Sequence, residues 1–413
     1  MKLAENGIPL LLVSLVALNQ FPHTTAIINM VSAFTVIAVA RALYKKSIPF
    51  SYETPLLIPL ALFFAWSFIG LFFAINTWDS CRDFFSHFVR YVLFYFVIIN
   101  VMDSRQKIHC ILWTLILSTT LFSLWAMVNF YLIQGYSLSV RLGTSFPEFT
   151  TNIAGFASVM AIVFSMAMMK FEDRAWKKIV LIAAIIVLLA VSVLSQSRGT
   201  LLALIVSFLV LFATYKRVMI FTACALITTV AFVPLPKRTG EALFQLIART
   251  NITAFSIEVA KDYPVWGTGF DINVFHYMQT EMSDKFQAYK SRVPAEYVDE
   301  RFAQNTDWPR WPHSFVLSLL VRTGITGLLL FTGILGTVFT ISINLVIKGK
   351  DFFIKEMGLA CLACMVVFVT KALFEPVFVH FVDTLFYLLL AMITILWRMG
   401  LPRFNDNGKE GRL

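Results

Sequence analysis

Four residues carry the types and settings from which chemistry can be built: His313, Arg198, Arg249 and Arg141. His313 stands in Asp307-Trp-Pro-Arg-Trp-Pro-His313-Ser314, where two Trp-Pro pairs fix the approach to an apolar run. Proline holds the residue before it in extended backbone, so a helix is expected to start just after this stretch. An imidazole at the first turn of a helix feels the positive end of the dipole, which favours the neutral ring. A neutral imidazole serves as a general base at ordinary pH. The bland alternative is a residue that only covers the helix end.

Arg198 is the only charge in the short turn Ser195-Gln-Ser-Arg-Gly199. It either snorkels to lipid headgroups or binds an anion. Arg141, in Ser139-Val-Arg-Leu-Gly143, is similar, and Arg249 lies in Ala248-Arg-Thr250 between two amphipathic stretches. Several guanidinium groups on one site suit phosphate, because each planar fork binds two oxygens. Trp266, Trp308 and Trp311 either stack on sugar rings or form an interfacial belt. Arg90, Arg322 and Lys371 fall in or beside apolar runs, where a charge needs a partner or a function. Arg322 and Lys371 can pair with Glu375 or Asp383. Of the other histidines, His23, His87 and His380 sit at span ends, His109 faces the cytoplasm, and His276 lies in the long outer segment. No phosphate-binding Gly-rich loop with Lys-Ser/Thr, no His-Glu-x-x-His and no outer Asp-x-Asp occurs, so neither a metal nor a cofactor is expected.

The elements that position these residues follow from composition. Of 413 residues, 58% are hydrophobic and 14% charged, too few charges to cover a water-soluble surface. Apolar runs predict twelve spans, approximately 8–21, 25–44, 55–76, 84–101, 109–133, 150–169, 179–194, 200–214, 218–234, 315–346, 356–376 and 381–398. The first is read as a retained helix rather than a removed signal peptide, since no small-residue cleavage site follows it. The formal charge of +10 reflects loops rather than a nucleic-acid partner. With the N-terminus inside, the inner segments hold nineteen Lys and Arg, whereas the short outer turns hold only Arg82, Arg141 and Arg198. Cytoplasmic loops collect basic residues, so both termini are expected inside and the long segment outside. The five cysteines form no framework, and Cys361 and Cys364 read as helix packing.

The chain therefore divides into 1–234 (spans one to nine), 235–314 (an outer, mostly helical cap, periplasmic in a Gram-negative host), 315–400 (spans ten to twelve) and 401–413 (a cytoplasmic tail). Within the cap, 243–247 and 252–259 predict amphipathic helices, and Asp262-Tyr-Pro-Val-Trp-Gly-Thr-Gly-Phe270 is dense in turn formers. As one straight helix, 315–346 would run roughly 48 Å against a hydrocarbon core of about 30 Å. Gly324 is the expected break.

Three short patterns in this order, on a chain of this layout, resemble the bacterial O-antigen ligase and polymerase superfamily. They are Ser197-Arg198-Gly199, then Arg249 followed by Val259-Ala-Lys-Asp262-Tyr-Pro-Val-Trp-Gly-Thr-Gly-Phe270, then Pro312-His313-Ser314 with Leu320, Gly324 and Gly327. Many relatives carry Asn where Ser314 stands. The resemblance implies an all-α polytopic membrane protein of about twelve transmembrane helices with one large periplasmic cap, GT-C-like, in the bacterial inner membrane. It implies transfer of a glycan from an undecaprenyl-pyrophosphate carrier to an acceptor, for a ligase the lipid A–core, with inversion and without metal. His313 would then be the catalytic base, with Arg198, Arg249 and Arg141 on the pyrophosphate and Arg322, Trp311 and Ser314 in support. An O-antigen polymerase and a protein O-oligosaccharyltransferase share the fold. A small-anion transporter is the alternative of a different class. It is disfavoured because the polar groups gather on the outer side and no inverted repeat is visible.

Overall fold

A chain crossing lipid must satisfy its backbone internally, and a single apolar run can do so only as a helix. The computed structural model describes residues 2–19, 21, 24–46, 50–142, 151–213, 239–294, 312, 314–373 and 380–400, and among them the regular structure is helical, without strands. Seven of these helices are long and apolar enough to cross a membrane, and four shorter apolar helices accompany them. The chain is an all-α polytopic membrane protein. Eleven expected spans thus have a helix; the ninth, 218–234, lies outside the described residues.

In chain order the helices are α1 (Lys2–Leu18), α2 (Thr25–Tyr44), α3 (Leu57–Gly70), α4 (Thr77–Phe84), α5 (Arg90–Val101), α6 (Arg105–Met127), α7 (Thr151–Met168), α8 (Ala175–Leu194) and α9 (Arg198–Leu211). Then follow α10 (Thr239–Asp262), α11 (Val274–Glu281), α12 (Ser283–Arg292), α13 (Phe315–Lys348), α14 (Phe352–Ala372) and α15 (His380–Gly400). Several begin at a side chain that accepts one of the orphan N–H groups of the first turn: Asn76 from Asp79, Ser104 from Lys107, Ser197 from Thr200 and Asp351 from Ile354. The Asn76 cap starts the fourth span at Thr77, earlier than its apolar run suggests, so two polar turns precede the lipid-compatible part.

Helix α14 is the hub, packed against α7, α9, α13 and α15. Its Phe368 ring meets Phe386 at 4.4 Å, Phe156 at 6.0 Å and Phe315 at 6.1 Å between centroids. At one end of the bundle the loops expected to be cytoplasmic are tied together. Arg105 meets Asp351 at 2.6 Å, Lys170 meets Glu356 at 2.5 Å, and Arg398 donates to the carbonyls of Glu53 and Ile99.

The long segment between α9 and α13 builds its own small core. Phe255 of α10 packs on Phe275 of α11 at 5.0 Å and on Phe286 of α12 at 5.1 Å, and Val321 joins this cluster from α13. The two amphipathic helices expected at 243–247 and 252–259 are instead one continuous helix, α10. The intervening Ala248-Arg-Thr-Asn holds neither glycine nor proline, so nothing interrupts it.

The tenth span breaks where its length requires. Gly324 adopts φ 68° and ψ −176° inside α13. A break of this kind strands the carbonyls just before it, which an intact helix would pair four residues on. Here they are taken up from outside the helix. Val321 O accepts from Thr268 N at 2.7 Å, Arg322 O from Gly269 N at 3.2 Å, and Thr323 O from Trp66 Nε1 at 3.0 Å. On the far side of the break, Ile325 N donates to Pro264 O at 2.8 Å. The turn-rich segment 262–270 is therefore a backbone clasp on the broken helix. Ile75 N donates to Thr268 O at 2.9 Å, which ties the clasp to the start of α4 as well.

The approach is too close for side chains at two points. A Cβ on Gly324 would lie 2.0 Å from Val265 O, and one on Gly267 (φ 71°) 2.4 Å from the Arg322 carbonyl carbon. Gly324→Ala adds this clash to an unfavourable left-handed backbone and is expected to destabilise the chain by roughly 2 kcal/mol or more. Gly333→Ala, in the same helix with nothing within 4 Å of the added Cβ, should not lower stability. Thermal unfolding of both variants in detergent micelles checks this; equal melting temperatures would contradict it.

Candidate functional site

The Ser195-Gln-Ser-Arg-Gly199 turn is held rigidly by the segment before α7. Gln196 adopts φ 46°, a left-handed conformation uncommon outside glycine, and its Nε2 donates to Ser139 O at 3.1 Å. Leu142 N donates to Leu194 O at 3.1 Å, and Arg141 Nε donates to Ser195 O at 2.9 Å. Arg198, the first residue of α9, is exposed just beyond the Ser197 cap. Buried Lys371, from the last turn of α14, reaches the same place, with Nζ donating to Thr200 Oγ1 at 3.2 Å. Gly155 of α7 makes room here, since a Cβ on it would lie 2.1 Å from Thr200 Oγ1.

Arg141 and Arg198 are thus brought to one turn, and Lys371 joins them. All three cations gather at the N-terminal end of α9, which already carries partial positive charge. Helix N–H groups and guanidinium forks are donors suited to an anion. The start of α13 is on the same stretch of α14. Phe315 packs on Phe368, and Phe368 lies one turn before Lys371 on the same helix face. Ser314 has extended backbone (φ −151°, ψ 134°) at the cap position of α13, and its carbonyl accepts from Ser318 N at 2.8 Å. His313 and Trp311 lie outside the described residues, as do Trp308 and Glu375. Arg249 falls in α10, whose backbone is described there but whose side chain at 249 is not.

Arg322 has a different setting. It is buried, its Nη2 donates to Phe270 O, and its guanidinium lies 4.4 Å from the Phe270 ring centroid. The carboxylates of Asp83, Asp271 and Asp383 surround it electrostatically. It locks the end of the clasp to α13. Trp266 is likewise spent on protein, its ring stacked on Trp66 at 4.0 Å and on Phe73 at 4.8 Å.

Sequence reasoning passed over Asp79, Asp83 and Asp271. Asp79, Asp83 and His87 recur every fourth residue, which places them along one helix face, and that spacing was the available signal. Asp83 Oδ2 accepts from Ile272 N at 2.9 Å, and His87 Nδ1 meets Asp383 Oδ2 at 3.1 Å. Asp383 therefore joins both His87 and the field at Arg322. Arg90, one turn further on, donates to Asn29 Oδ1 and Ser32 Oγ of α2. These intramembrane charges have protein partners.

Residues 182–332 match the family model described as O-antigen ligase. This part of the chain is similar to the O-antigen ligase family. The match takes in the Arg198 turn, α10, the clasp, His313 and the Gly324 break, whereas Arg141, Lys371, Asp83 and Asp383 lie outside it. A comparison with curated proteins returns no match.

The clasp region carries its own pH signature. Burial pushes the Asp271 carboxyl above the ordinary aspartate value; the Asn273 amide opposes this, Asp83 and Asp79 add to it, and Arg322 opposes it. A carboxyl whose native pKa is raised binds its proton more readily folded than unfolded. Stability then falls as pH rises from the ordinary aspartate pKa of about 3.9 through the raised native value. Asp271→Asn is expected to flatten that part of the melting-temperature profile in detergent; an unchanged slope would contradict the assignment.

Proposed function

We propose that the chain is a glycosyltransferase that moves an O-antigen glycan from undecaprenyl pyrophosphate to the lipid A–core oligosaccharide, at the periplasmic face of the bacterial inner membrane. The observation that carries this reading is the gathering of Arg141, Arg198 and Lys371 at the N-terminus of α9, next to the start of α13. The O-antigen ligase match to residues 182–332 supports the same reading. A polyprenyl pyrophosphate is an amphiphile whose chain stays in lipid while its charged head stands at the surface. A cationic turn at the end of a transmembrane bundle suits that head.

In the proposed reaction an acceptor hydroxyl attacks the anomeric carbon opposite the pyrophosphate. The new C–O bond forms as the bond to the pyrophosphate oxygen breaks, which inverts the anomeric centre. His313 takes the hydroxyl proton. The leaving pyrophosphate departs with the bonding electron pair, and Arg198, Arg141 and Lys371 offset its developing charge, with Arg249 contributing from α10. Fixed cations aimed at charge that develops in the transition state supply the largest share of such catalysis, and positioning of the hydroxyl supplies much of the rest. Ser314 holds the backbone beside His313, while Arg322 and Trp311 act in support. Under this reading 235–314 is the periplasmic cap and both termini are cytoplasmic.

Transfer from carrier-linked glycan to rough lipopolysaccharide, with purified full-length protein, tests the proposal. Arg198→Ala and His313→Ala are each expected to lower the rate by about a hundredfold or more, the typical cost of losing one transition-state donor or an acid–base group. Wild-type rates in either variant would overturn the assignment. Lengthened carrier glycan in place of a lipid A–core product would identify a polymerase instead.

A further inference from the structure

A second cleft, of opposite sign, opens between the start of α4 and α11. It has a volume of about 440 Å³, within the range of small-ligand sites. Its floor is a fixed polar network. Asn76 Nδ2 donates to Asp79 Oδ2 at 2.7 Å and to Asp271 Oδ2 at 3.3 Å, while Asn76 Oδ1 accepts from Asp79 N at 3.2 Å. Asp271 Oδ1 accepts from Asn273 N at 2.8 Å. The rim is formed by α11, with His276, Thr280 and Glu281 exposed and Tyr277 half-buried. The floor is anchored to the clasp, because Asp271 directly follows Phe270, the acceptor of Arg322.

The chemistry of this lining is specific. Carboxylate and amide groups held in place by their own hydrogen bonds have further lone pairs and N–H groups to offer. Presented together with a phenol ring, they match the closely spaced hydroxyls and the apolar face of a sugar. Asp79, Asp271 and Glu281 repel phosphate and acidic sugars, and Arg82, at 2.8 Å from Asp79, offsets only part of that charge. Among the described residues these carboxylates do not converge as a group able to hold a metal ion.

We infer that the cleft between α4 and α11 is a subsite for an uncharged stretch of oligosaccharide, separate from the cationic turn at α9. The two regions then sort one amphiphilic substrate by sign, pyrophosphate to the basic turn and neutral sugar to the acidic cleft. The inference rests on the glycan-transfer reading for the identity of the sugar. It does not depend on His313 or on pyrophosphate binding.

Saturation-transfer NMR and titration of the full chain in lipid nanodiscs test it with two probes. One is the neutral outer-core oligosaccharide of rough lipopolysaccharide, freed of phosphate and of the acidic inner-core sugar, and the other is a neutral O-chain oligosaccharide released from its lipid carrier. Binding of either supports the subsite, and the one that binds assigns it to acceptor or donor. Glu281→Lys and His276→Ala alter exposed rim positions, and Tyr277→Ala removes the ring. At least one of the three is expected to weaken binding about tenfold, the scale of one or two lost hydrogen bonds. Arg198→Ala should bind the same oligosaccharide normally while losing transfer, which separates failure of this inference from failure of the pyrophosphate assignment. No binding of either probe, or equal binding by all three cleft variants, overturns the subsite.

Discussion

A helix broken inside a membrane protein must find partners for the backbone groups it strands, and that requirement organises the end of this molecule that carries the clasp. The break at Gly324 frees the carbonyls of Val321, Arg322 and Thr323, and the clasp at 262–270 together with Trp66 supplies the donors. Unsatisfied backbone groups away from water cost as much as lost hydrogen bonds. The clasp and the broken helix are therefore obligatory partners, and neither keeps its geometry without the other. Because the clasp continues directly into Asp271 and α11, the same contact fixes where the segment of α10 to α12 stands over the bundle.

Around that contact, charge is distributed by sign. The buried carboxylates Asp83, Asp271 and Asp383 lie about Arg322 on the clasp side. The cations Arg141, Arg198 and Lys371 collect at the start of α9. Helix α14 connects the two regions, through Phe368 against Phe315 and through Lys371 against Thr200. The segment 182–332 that matches the family model holds the clasp, the broken helix and Arg198, while Trp66, Arg141 and Lys371 complete the frame and the cationic turn from outside it.

How much of this was legible in the sequence depends on which force sets each feature. Lipid admits a narrow choice of backbone, so apolar runs located eleven spans, and helix length against bilayer thickness pointed to Gly324. The turn at Arg198 was visible as a lone charge among small polar residues. Long-range partners were not. The His87–Asp383 contact joins residues 296 apart in sequence, and nothing local to either names the other. Lys371 extends to Thr200 on a different helix, 171 residues away. Trp266 offered a sugar-stacking face in the sequence, yet packing against Trp66 and Phe73 takes up its ring. The continuity of α10 was missed because hydrophobic pattern marked two patches and helix propensity decided the residues between them.

Peptide-level hydrogen–deuterium exchange of the full chain in nanodiscs tests the coupling between clasp and broken helix most directly. The amides of Thr268, Gly269 and Ile325 donate across that contact, so peptides covering 264–270 and 321–327 should exchange slowly and open together, as one cooperative unit. Exchange of the 264–270 peptide at the rate of an open loop, while 321–327 remains protected, would contradict the account.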